Sequence, residues 1–76
     1  MHMKIRGKTY SGASFAEMSR TYCDIRDRLG FGASRFNEVF ITEDGKRIAR
    51  ISYNGRVWSP EPWVSGMAPL YDNRSM

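Results

Sequence analysis

Cysteine and histidine are almost missing from this chain: one of each, Cys23 and His2, stand among 76 residues. A single cysteine excludes an intrachain disulfide, and the two residues together cannot assemble a Cys/His metal site. No apolar run approaches the roughly 20 residues that a membrane-spanning helix needs. The opening Met1-His2-Met3 lacks the basic-then-apolar layout of a signal peptide. A cytoplasmic protein is therefore expected, and the lone cysteine fits a reducing compartment. Residues 1–2 read as a cloning scar before a start at Met3, which leaves His2 out of the functional reading.

Catalytic constellations are missing as well. Cys23 falls in mid-helix with no histidine to activate it, so it reads as a small packing residue. Asp24 and Asp27 are not joined by a third carboxylate at ligand spacing and read as a solvated helix face. Gly30-Phe31-Gly32 follows the helix, whereas a phosphate cradle precedes one, so it reads as a C-cap and turn. Asp44-Gly45 lacks the alternating carboxylates of a calcium loop. No enzyme activity, cofactor or metal is expected, because no nucleophile–base or metal set can be drawn.

What is present is a small domain rich in arginine. A chain of 76 residues buries only about 60% of its unfolded surface, and its core supplies roughly 3–5 kcal/mol. One domain, residues 1–76, is expected. Lys and Arg total 12 against 8 Asp and Glu, a net charge of +4, and nine of the 12 are arginines. Arginine makes bidentate contacts to phosphate and carboxylate and stacks on aromatic planes. Such a balance suits an acidic protein surface or nucleic acid, and it also serves solubility.

Residues 3–10 alternate Met3, Ile5 and Thr9 with Lys4, Arg6 and Lys8, the period of an exposed strand, which Ser11-Gly12 ends. Ser14-Phe15-Ala16-Glu17 has the spacing of a capping box. Phe15, Met18, Tyr22, Ile25 and Leu29 then share one helical face, and Gly30 stops the helix. Three strands follow as a meander: Phe36 to Thr42, Arg47 to Tyr53, and Arg56 to Trp58. Asp44-Gly45 and Asn54-Gly55 form the two turns between them. The expected fold is α+β: a single two-layer domain in the order β-α-β-β-β, with one amphipathic helix on an antiparallel meander.

Read as two-residue turns, these signals set a register in which Ile41 faces Ile48, Phe40 faces Ala49, Val39 faces Arg50 and Ile51 faces Trp58. One sheet face then carries Phe36, Phe40, Ala49, Ile51, Tyr53 and Trp58 and should hold the helix. The other carries Val39, Ile41, Ile48 and Val57 with Arg50, Ser52 and Lys46, and needs a cover. The irregular, proline-rich tail, residues 59–76, is the candidate. Its three prolines exclude regular structure, while Trp63, Val64, Met67, Leu70 and Tyr71 are too apolar for a plain disordered tail. The expectation is that it folds back over the sheet, with Arg50 paired locally, for instance to Glu61. Docking on a second molecule is the other course.

The candidate binding residues are Lys46, Arg47, Arg50 and Arg56 with the aromatics Tyr53 and Trp63. Arginines and aromatics are the usual anchors of protein interfaces. No ribonucleoprotein motif, helix-turn-helix pair or zinc finger accompanies them. In its size, its β-α-β-β-β order and its missing catalytic set, the chain resembles a broad class, the small phage and prophage accessory proteins of the anti-CRISPR inhibitor type. The resemblance transfers no residue roles. It implies a non-enzymatic binding protein that occupies a surface of a host protein or ribonucleoprotein complex, as a monomer or weak dimer. Many such inhibitors are acidic mimics of DNA, and this basic chain departs from that pattern. A small nucleic-acid-binding or regulatory domain is the alternative, and a structural dimer that exchanges its tail is the third.

Overall fold

Alternation of apolar and charged residues ahead of the helix builds a hairpin of two strands. A computed structural model of the protein describes residues 1–30, 32, 36–61 and 64–73. Strand β1 (His2–Ile5) turns at Arg6-Gly7 and returns as β2 (Lys8–Ser11). Arg6 and Gly7 both take positive φ, 49° and 87°, as the tightest two-residue hairpin turn requires. The expected single strand over residues 3–10 is thus folded in half, and the leading β element of the β-α-β-β-β order is this hairpin.

Helix α1 (Phe15–Leu29) follows. The Ser14 hydroxyl accepts from the Glu17 backbone N–H at 3.2 Å, while the Glu17 carboxylate accepts from the Ala13 N–H. The capping box therefore closes one residue earlier than its usual form. At the other end the Gly30 N–H donates to the Arg26 carbonyl at 3.0 Å. Met18, Ser19, Tyr22 and Ile25 are buried, but Leu29, the last residue of the stripe, is 41% exposed.

Strands β3 (Val39–Glu43), β4 (Lys46–Ile51) and β5 (Val57–Trp58) form the meander, and β1 pairs with β3. The result is a five-stranded antiparallel sheet in the order β2-β1-β3-β4-β5. Its register differs from the expected one in two places, each by one residue. Across Asp44-Gly45 the pairs Glu43–Lys46 and Thr42–Arg47 form as expected. Ile48 then bulges, so that Ile41 faces Ala49, Phe40 faces Arg50 and Val39 faces Ile51. At the next turn the loop is three residues, Tyr53-Asn54-Gly55, closed by the Ser52 N–H on the Arg56 carbonyl. Ile51 therefore faces Val57, and Arg50 faces Trp58.

Because side chains alternate with period two, each slip exchanges the faces. Met3, Ile5, Ile41, Ala49, Ile51 and Val57 form the core with Met18, Tyr22, Ile25 and Phe36. Phe40, expected under the helix, is instead 36% exposed on the opposite side. Of the β-branched residues assigned to an uncovered face, Ile41 and Val57 are buried in the core, and Val39 and Ile48 pack against it partly buried. Tyr22 fixes the helix to the strand entry: its ring lies 5.0 Å from that of Phe36, and its hydroxyl donates to the Asn37 carbonyl.

The three-residue loop is held against the helix. The buried Ser19 hydroxyl donates to the Gly55 carbonyl at 2.6 Å, and Arg26 donates to the Tyr53 carbonyl at 2.6 Å. Gly55, at φ 91°, leaves no room for a side chain: a Cβ there would sit 2.5 Å from Cys23 Sγ. The tail closes on its own sheet, with residues 70–73 along the β5 edge and the Ser59 carbonyl accepting from Arg50 on the second face. Val57 exchanges hydrogen bonds with Tyr71, and the Asn73 amide donates to the Asn54 carbonyl. The tail thus folds back as expected, but the described part of it leaves Lys4, Phe40 and Arg47 of the second face exposed. Part of the tail, including Trp63, lies outside them.

Candidate binding face

Among the described residues, the second side of the sheet is open over β1, β3 and the start of β4, where Lys4, Phe40 and Arg47 are exposed, and closed at Arg50. Antiparallel pairing puts partnered residues on one face, so the pairs His2–Thr42, Lys4–Thr9, Thr42–Arg47 and Phe40–Arg50 define it. A shallow groove of about 410 Å³ runs across it, lined by His2, Lys4, Thr9, Phe40, Thr42 and Arg47 among others. The Arg47 guanidinium lies 4.1 Å from the centre of the Phe40 ring, within the range of a cation–π contact. Arg47 reaches this face through its pairing with Thr42, and the bulge at Ile48 brings Arg50 to it as well.

Charge on the face is uneven. Arg50, 8% exposed, donates to the Glu38 carboxylate at 3.2 Å and to the Ser59 carbonyl at 3.1 Å. Glu38, not Glu61, is therefore its ion-pair partner. Lys4 and Arg47 have no ion pair among the described residues and project from the open side. The outcome is a positive, partly aromatic surface at the β1–β3–β4 centre of the sheet.

The residues singled out from sequence do not converge. Arg47 lies on this face, and Lys46 stands beside it at the hairpin end, exposed and opposite Glu43. Arg50 lies on the same face but is buried there, bonded to Glu38 and Ser59. Arg56 is on the far edge, 3.5 Å from Asp72. Tyr53 lies at the helix side, 5.3 Å from the Arg26 guanidinium. Trp63 falls outside the described residues. Sequence reasoning passed over Lys4, Phe40, Thr42 and Thr9, and set His2 aside. The alternation in β1 already marked Lys4 as outward. Phe40 could be found only by anticipating the bulge.

Two titratable groups of the interior are shifted by burial. Burial pushes the Tyr22 phenol up to about 12, against the lowering influence of Arg26. Burial also pushes the Cys23 thiol up, again opposed by Arg26. That keeps it protonated and a poor nucleophile. Among the described residues no group of three His, Cys, Asp or Glu side chains is close enough to hold a metal ion. No described helix is long and apolar enough to cross a membrane. The chain matches no family model, no curated protein and no solved structure.

Proposed function

We propose that the protein is a non-enzymatic binding domain whose open sheet face docks on an acidic surface of a host macromolecular complex. That is how phage-type inhibitors of the anti-CRISPR kind act. The observation that carries the reading is the exposed part of that face: Lys4 and Arg47, without ion-pair partners among the described residues, around a half-exposed Phe40. Arginine and aromatic side chains together form the usual anchors of protein interfaces. Here the sheet backbone holds them in place, and Arg50 and Glu38 brace the strand beneath.

A small basic nucleic-acid-binding domain would use the same two cations. Single-strand platforms stack successive bases on several aromatics. This face offers two described aromatics: Phe40, already covered by Arg47, and Trp58, half-buried with its indole N–H donated to the Ser52 hydroxyl. Neither presents a free ring for stacking, so a protein surface suits it better. The tail-exchanged dimer has no observation in its favour, because residues 70–73 lie on the edge of their own sheet.

The test is a double charge reversal, Lys4→Glu with Arg47→Glu, at two exposed positions that leave the core intact. Wild type and variant serve as baits for host extract, and both are titrated with labelled single- and double-stranded DNA across a salt series. The reading expects one protein complex retained in stoichiometric amount by the wild type and lost by the variant, with DNA binding weak and abolished by modest salt. Tight DNA binding at physiological salt, lost in the variant, would move the function to nucleic acid. Equal retention by both proteins would remove the open face from the reading.

A further inference from the structure

The two edges of the sheet are treated differently. The β5 edge is occupied, since Val57 is bonded to Tyr71. Strand β2 pairs with β1 on one side, and no described strand lies on its other side. The hairpin settles which of its backbone groups face outward. Ile5 and Lys8 flank a two-residue turn, so they form a hydrogen-bonded pair. Bonded pairs alternate along an antiparallel ladder. Met3–Tyr10 is then bonded, and so is Met1–Gly12, as the 3.1 Å bond from the Gly12 N–H to the Met1 carbonyl shows. The N–H and C=O groups of Thr9 and Ser11 therefore point away from the sheet.

Beside this edge, on the helix side, lies a second groove of about 290 Å³. Ile5, Tyr10, Ile25 and Leu29 supply its apolar lining, and Lys8 and Arg28 stand at its rim. The open face on the other side of β2 carries Lys4 and Arg47. Both flanks of the edge are thus positive, and one of them is apolar at its base.

We infer that the β2 edge is a strand-addition site for an acidic, extended segment of a partner protein. The segment completes the ladder at Thr9 and Ser11. Its apolar side chains enter the groove at Tyr10 and Leu29, and its carboxylates lie in the positive field of Lys8, Arg28 and Lys4. Main-chain bonds supply affinity in this mode, and alternate side chains supply specificity. A second copy of the chain fits poorly, because it would set two lysine-bearing edges against each other. Nucleic acid fits poorly too, because phosphates accept hydrogen bonds and leave the outward carbonyls unpaired. This surface is additional to the open face proposed above, and its test does not involve Arg47.

The probe is a seven-residue peptide alternating Glu or Asp with Val or Leu, titrated into the ¹⁵N-labelled full chain, with a Lys-for-acid peptide as control. The acidic peptide should shift the amides of Lys8–Ser11 and slow hydrogen exchange at Thr9 and Ser11 by about tenfold or more. Thr9→Pro removes an outward N–H and no internal ladder bond, and it should weaken binding by at least about tenfold. Thr9→Ala should change it less than about twofold. Should the proline variant fail to fold, a peptide N-methylated at alternate amides asks the same question of the wild type, and it should not bind. The inference is overturned if the acidic peptide leaves these amides unmoved, if the lysine peptide binds equally, or if Thr9→Pro or N-methylation has no effect. A Thr9→Pro-sensitive dimer in sedimentation would reassign the edge to a second copy.

Discussion

Gly55→Ala should be among the most damaging single-methyl additions in this protein, and the structure says why. The position has φ 91°, where an L side chain is strained by about 1–2 kcal/mol. The added Cβ would also meet Cys23 Sγ at 2.5 Å and Asn73 Nδ2 at 2.7 Å. Neither neighbour moves freely: the loop is fixed by Ser19 on the Gly55 carbonyl, and the Asn73 amide donates to the Asn54 carbonyl. Overpacking of this kind costs roughly 1–3 kcal/mol. The sum, about 2–5 kcal/mol, is comparable to the ~3–5 kcal/mol that a core of this size supplies. The overpacking part should fall when the sulfur is removed, whereas the backbone strain should stay. A double-mutant cycle of Gly55→Ala with Cys23→Ala is then expected to show a favourable coupling of about 1 kcal/mol. Urea unfolding followed by far-UV circular dichroism measures it, with a slope of roughly 1 kcal/mol/M for a chain this short. A Gly55→Ala midpoint within about 0.5 M of wild type would refute the tight docking of the loop on the helix. A cycle with no coupling would refute Cys23 as the neighbour in the way.

Three further outcomes follow from the same packing. Ser14→Ala removes the acceptor of the Glu17 N–H and should lower stability by about 1 kcal/mol, read from the same urea curves. Glu38→Ala leaves the buried Arg50 charge with the Ser59 carbonyl alone and should cost about 1–2 kcal/mol, while Arg50→Met, which removes the charge and keeps the stem, should fall within about 1 kcal/mol of wild type; the reverse order would sink the argument. Tyr22, raised by burial from 10.0 to about 12, is neutral in the fold. Its contribution, about 2–3 kcal/mol at one unit per 1.36 kcal/mol, is complete below pH 10 and lost as pH rises toward 12. Tyr22→Phe should flatten that part of the stability profile.

The parts of this fold that were legible in the sequence are those decided within a few residues. Ser14 to Glu17, the Phe15–Leu29 stripe and Gly30 set the helix and its ends. Asp44-Gly45 set its hairpin. The first hairpin carried a weaker sign, an X-Gly pair inside an unbroken alternation, and Arg6 had to take positive φ to use it. The register lay beyond local reading. Asn54-Gly55 suits a two-residue turn as well as the final positions of a three-residue loop, and packing on Ser19 and Cys23 selects the loop. The bulge at Ile48 is likewise selected by the core, because it brings Ile41, Ala49 and Ile51 together under the helix. An unbulged strand would have set Phe40 there instead.

Those two slips also decide where a functional surface can be. Before folding, every arginine of the meander is an equal candidate. In the fold, carboxylates divide them: Glu38 takes Arg50, and Asp72 takes Arg56 at the opposite edge. A cation already paired and half-buried gains little from a partner's carboxylate, because it must give up its own. A cation left unpaired on a rigid sheet gives up only water. Among the described residues Lys4 and Arg47 are in that second position, on strands β1 and β4 with Phe40 and Thr42 of β3 between them. Recognition should therefore concentrate at the centre of the bare face and along the β2 edge beside it, where the fold leaves both charge and backbone hydrogen bonds unspent.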